Sequence, residues 1–140
     1  MELSAPNQPI RTRAGLARAR RIVVKVGSAV LAPQGELDQR TVSRLAGELA
    51  AAGASRREVV LVSSGAVASG FRLLGLKGKP RTIVQKQAAA AVGQQRLMRA
   101  VADAFGAHGR NVAQVLLTAE DLDHRARFLN ARRTLQQLLA

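Results

Sequence analysis

Two short β-branched runs each empty straight into a turn of glycine and serine, and this arrangement narrows the fold more than any other feature of the chain. Val59-Val60-Leu61-Val62 leads into Ser63-Ser64-Gly65-Ala66 and on into Val67-Ala68-Ser69-Gly70, which reads as strand, tight turn and helix start. Ile22-Val23-Val24-Lys25-Val26 leads in the same way into Gly27-Ser28. Unpaired backbone N–H groups and the helix dipole converge at such turns, so each is a cradle for an anion. Ser63 and Ser64 add hydroxyl donors on short side chains. The earlier cradle carries a lysine, Lys25, inside its apolar run. Two cradles, one of them with a fixed positive charge, point to chemistry on two negatively charged groups.

The rest of the chain alternates strand and helix signals. Residues 1–20 contain Pro6, Pro9 and Gly15 without a sustained period and read as a flexible basic leader ahead of one domain, residues 21–140. A first strand covers 21–26, and residues 28–37, with Pro33 and Gly35, read as a loop. Asp38 is placed to cap a helix running to about residue 52, where Val42, Leu45, Leu49 and Ala52 hold helical spacing and Gly53 ends it. A second strand over 58–62 precedes a helix over about 65–74, and Gly75-Leu76-Lys77-Gly78-Lys79-Pro80 is a break. A long helix follows over about 82–108, then a nearly unbroken apolar run at 111–117 that reads as a third, doubly buried strand. Thr118 and Asp121 form a capping box, and Phe128, Leu129, Leu135, Leu138 and Leu139 carry a last helical pattern.

This alternation predicts an α/β fold, a three-layer αβα sandwich with a mainly parallel sheet and its binding site at the carboxyl ends of the strands. Three strands are few against an average of ~5–6 for a sheet. The run Thr134–Ala140 stops inside a helical pattern with no capping residue, so the domain is read as truncated.

Composition excludes several classes. Without cysteine there is no disulfide, thiolate or cysteine–zinc chemistry, which fits a cytoplasmic protein. No apolar run approaches the ~20 residues that span a bilayer. The net charge is +13, from 22 basic and 9 acidic residues, and would attract phosphate-bearing partners. Residues 1–21 hold five arginines and Glu2, a local +4, which reads as a solvated leader, a nucleic-acid arm or a transit peptide. With three Phe and no Tyr or Trp, platforms for base stacking are scarce, so nucleic acid is not the favoured partner. His108 and His124 lack spaced partners, and Glu120, Asp121 and Asp123 suit the first turn of a helix, so no metal ligands are assigned. Gly75–Pro80 fails Walker spacing, and the Rossmann and nucleophile-elbow signatures are missing.

Lys25 asks for an explanation. Its charge must either reach solvent from the strand end or meet an anion, because burial alone disfavours it. As a phosphate clamp it would stabilise charge shared among transferring phosphoryl oxygens, with Gly27 admitting the ligand and Ser28 offering a hydroxyl.

Five blocks in order carry a family resemblance: Val23–Ser28, Val62–Ala66, Lys86-Gln87 with Ala91-Val92-Gly93-Gln94, Gln114–Thr118, and Arg125–Arg132. Residues 21–139 resemble the front half of the kinase domain of the glutamate 5-kinase family, within the amino-acid kinase superfamily. The resemblance implies ATP-dependent transfer of the γ-phosphoryl group to the side-chain carboxylate of L-glutamate, the first step of proline biosynthesis, with Mg²⁺. It implies that Lys25, with Gly27 and Ser28, contacts ATP phosphates and that Ser64, with Gly65, binds glutamate. It also implies a homo-oligomer. The family's Asn/Asp-rich glutamate segment, nucleotide loops and second lysine fall after Ala140, and Ala29 stands where some relatives have a hydroxyl. This chain is therefore expected to have little activity alone. The competing readings are a basic nucleic-acid-binding module and a non-catalytic partner subunit.

Overall fold

A computed structural model describes residues 12–54 and 57–140; the first eleven residues of the leader lie outside the described residues. Two strands, β1 (Arg21–Val26) and β2 (Glu58–Ser63), pair in parallel with Arg21 opposite Glu58 and Val26 opposite Ser63. Their pairing is what positions the candidate site. The first rung is pinned by an ion pair between the Arg21 guanidinium and the Glu58 carboxylate.

Between the strands run α2 (Ser28–Leu31) and α3 (Gln39–Gly53), following a short α1 (Arg13–Ala17) that the Thr12 hydroxyl caps. Asp38 caps α3 as its sequence position predicts, accepting the N–H groups of Arg40 and Thr41 at 3.0 and 3.2 Å. After β2 come α4 (Ala66–Gly70), a 3-10 turn at Arg72–Leu74, the long α5 (Ile83–Gly106), α6 (Ala119–Asp123) and α7 (Arg125–Leu139). Thr82 and Gln85 exchange hydrogen bonds as a capping box at the start of α5.

Strand side chains alternate, and one set turns toward the helices. Val24, Val26 and Leu61 pack with Leu31, Leu37, Val42 and Leu45 and with Leu97, Ala100, Val101 and Ala104, so α3 and α5 form the helical layer over this face. On the other face Val23 is 61% exposed and Val62 44%. The α/β class and the parallel sheet are as the sequence implies, with one face of the sheet covered among the described residues.

Four local expectations change. The segment 111–117 is irregular and unpaired, with Leu116 73% exposed, because a strand forms only where a neighbour takes its backbone hydrogen bonds and no described strand does. Residues 28–37 are not a plain loop: Leu31 is 1% exposed, and its burial draws the chain into α2 and a 3-10 turn at Pro33–Gly35. The helix expected over 65–74 ends at Gly70 and tightens into the 3-10 turn that left-handed Gly75 closes (φ 73°). Within the segment read as leader, Arg13–Ala17 is helical.

Candidate functional site

The register brings the two turns to one edge of the sheet. Lys25 lies opposite Val62 and Val26 opposite Ser63, so Gly27-Ser28 and Ser64-Gly65 leave neighbouring strands together at their carboxyl ends. Paired strands run about 4.8 Å apart, which is the scale of the gap between the two turns at their base. This juxtaposition of Lys25, Gly27 and Ser28 with Ser64 and Gly65 is the geometric core of the candidate site.

Lys25 belongs to the uncovered face and is exposed, and among the described residues no carboxylate pairs with it. The strand-end escape to water describes the lysine in this chain, and its ammonium is free to meet an incoming anion. Gly27 precedes α2 with an extended backbone (φ −74°, ψ 156°), and a Cβ built on it would meet nothing within 4 Å. Neither strain nor internal packing asks for glycine there. Ser28 opens α2 half-buried, but four residues give that helix little dipole of its own.

The second turn divides its serines. The Ser63 hydroxyl oxygen accepts the Gly65 N–H at 3.2 Å, whereas the exposed Ser64 hydroxyl makes no hydrogen bond to another described residue. Alternation continued past Val62 puts Ser64 on the face of Lys25 and Ser63 on the face of Val26. Gly65 is buried, and a Cβ there would lie 3.4 Å from Leu97 and 3.7 Å from Leu31. Its carbonyl accepts from Ser69, a wholly buried serine, at 2.8 Å. Both polar groups of the Gly65 peptide are thus occupied inside the protein.

Glycines hold this turn against the long helix. A Cβ on Gly70 would overlap the Ala89 carbonyl oxygen and come 2.6 Å from the Gly93 nitrogen; one on Gly93 would overlap the Ala66 carbonyl oxygen. The α4 and α5 backbones therefore touch, and only glycine permits it. Ser69, Gly70 and Gly93 lie in stretches already singled out by sequence, with no packing role given to them there; the repeated spacing of small residues, Ala66 to Gly70 and Ala89 to Gly93, is the signal of a close helix crossing. A latch joins the 3-10 turn at Pro33–Gly35 to the segment just after α4: left-handed Gly35 (φ 84°) lies under the Phe71 ring, and Arg72 Nε donates to the Gln34 carbonyl at 2.6 Å.

The electrostatics favour anions by default of acids. From Val59 to Ala102 the chain has no Asp or Glu, while Arg72, Lys77, Lys79, Arg81 and Lys86 fall in that stretch. Among the described residues no group of three His, Cys, Asp or Glu is placed to hold a metal ion. A shallow cleft of about 410 Å³ lined by Glu120, Asp123, His124 and Arg127 shares no residue with the strand ends, and its acidic lining is wrong for a phosphate or carboxylate. Convergence of the strand ends outweighs concavity as a guide here.

A family profile described as the amino acid kinase family matches residues 20–140. The chain is 55% identical over 123 residues to a glutamate 5-kinase of Pelobacter propionicus, covering 87% of this chain and 33% of that protein. Over 125 residues it is 54% identical to a glutamate 5-kinase of Geobacter metallireducens, covering 89% and 34%. Over 127 residues it is 55% identical to one of Thermus thermophilus, covering 91% and 34%. The chain spans about a third of the length of these relatives.

Proposed function

The chain belongs to the amino acid kinase family, and on that premise we propose that it supplies the N-terminal part of an ATP-dependent glutamate 5-kinase. The observation that carries the proposal is the register of β1 with β2, which sets Lys25-x-Gly27-Ser28 beside Ser64-Gly65 at one sheet edge. The acceptor would be the side-chain carboxylate of L-glutamate, at the entry to proline biosynthesis. Such a carboxylate, with a pKa of about 4.3, is already ionised at neutral pH, so the nucleophile needs no general base. The barrier lies in bringing one anion up to a polyanion, and positioned positive charge and oriented donors lower it.

In this reading Lys25 neutralises phosphate charge, open Gly27 lets a phosphate approach the backbone, and Ser28 adds a hydroxyl. Ser64, unpartnered and on the Lys25 face, holds the amino acid, and Gly65 fixes the turn beneath it. The described residues fit the phosphates of ATP in this way. They offer no carboxylate or imidazole set for Mg²⁺, and no step is assigned to the ion. An enzyme of this kind, in a chain without cysteine, would work in the cytoplasm.

The test is a chimera in which residues 20–140 replace the matching third of the Thermus thermophilus enzyme. Formation of acyl phosphate, trapped with hydroxylamine, should require both ATP and glutamate. A chimera that shows native-like circular dichroism yet gives no glutamate-dependent product would overturn the proposal. The 140-residue chain by itself is expected to give little or no turnover.

A further inference from the structure

We infer that Ser63, to which no substrate contact is assigned, is a positioning residue that aims Ser64 into the site. The inference rests on the glutamate-binding reading of Ser64. Its physical basis is the loop closed by the hydrogen bond from the Gly65 N–H to the Ser63 hydroxyl oxygen at 3.2 Å. That bond spans one residue, and the residue is Ser64. A side chain that accepts the N–H two positions on restricts the backbone dihedrals of the residue between, as in an ST turn. The direction of the Ser64 side chain follows from those dihedrals.

The far side of the turn is anchored separately. The Gly65 carbonyl accepts from buried Ser69 at 2.8 Å, and Gly70 presses on the α5 backbone at Gly93. Ser69 thus holds α4 without enclosing Ser64. Ser63 lies before the helix and does enclose it. With its N–H occupied by Ser63, Gly65 keeps no free donor of its own for a ligand.

Substitutions in the chimera separate these roles. Ser63→Ala should raise KM for glutamate about 3- to 10-fold, the range expected for one net hydrogen bond, and leave KM for ATP within about twofold. Ser63→Thr keeps the acceptor and should restore glutamate KM. Ser69→Ala, which loosens α4 by losing a buried bond, should lower thermal stability without that selective rise. In the 140-residue chain, amide exchange of Gly65 should speed up in Ser63→Ala and return in Ser63→Thr. A glutamate KM unchanged by Ser63→Ala, failure of threonine to rescue, or the same selective rise in Ser69→Ala would each overturn the inference. If the chimera makes no glutamyl phosphate at all, the reading of the substrate has failed instead, and Gly65 exchange decides whether Ser63 fixes the turn.

Discussion

Ser64 and Lys25 stand on the same face of neighbouring strand ends, yet their loss should be felt in different constants. The Ser64 hydroxyl has no hydrogen-bond partner among the described residues, so on the proposed reading Ser64→Ala removes a contact to glutamate and no described internal bond. It should weaken glutamate use by about 1–3 kcal/mol while KM for ATP stays put, as steady-state kinetics of the chimera would read. Lys25→Ala leaves the fold intact for the same reason, since its side chain is exposed and packs in no core. It should lower kcat by about 10²–10³ through lost stabilisation of transition-state charge. An unchanged glutamate KM in Ser64→Ala would place the acceptor elsewhere.

At the scale of elements, one cap and one helix crossing carry separable contributions to stability. The Asp38 carboxyl is held below the ordinary aspartate pKa, chiefly by the Thr41 hydroxyl and then by the Thr41 N–H. A carboxylate with a lowered folded pKa contributes fully above its unfolded pKa, and the contribution fades as pH falls through the lowered value. Asp38→Ala should therefore lower Tm at pH 7, and the two melting temperatures should converge at pH values below the folded pKa. The α4–α5 crossing is less forgiving. Gly93→Ala sets a methyl against the Ala66 carbonyl, a backbone atom that no rotamer change can move aside. Overpacking of this kind should cost about 3 kcal/mol, measurable by denaturant unfolding. A Gly93→Ala protein as stable as the parent would mean that the two helices are farther apart than the structure has them.

For the whole molecule, packing is uneven. β1, β2, α3 and α5 share one core, whereas α6 and α7 pack mainly on each other, and Leu116, Leu122 and Leu138 are all more than half exposed. Regions with few buried apolar contacts open at low free energy. Hydrogen exchange of the 140-residue chain should accordingly protect α5 and the two strands and leave residues 110–139 nearly unprotected. Equal protection across both would refute the division. The elements that reach their form through local contacts were legible from the amino acids alone. β1 matches its apolar run, Asp38 caps α3, and Thr118 with Asp121 caps α6, because a cap needs only partners two or three residues away. The family blocks were legible in the same way, being carried by contiguous residues. Tertiary structure decided the rest. The run 111–117 has the composition of a buried strand but no described neighbour to pair with, and Leu31 makes a helix out of a presumed loop because α5 and α3 bury it. How the two turns come to share one sheet edge, and why residues 70 and 93 are glycine, depended on strands and helices meeting across distant stretches of chain. Those contacts are set by strand register and by backbone approach, and neither is written in the spacing of residues along one segment.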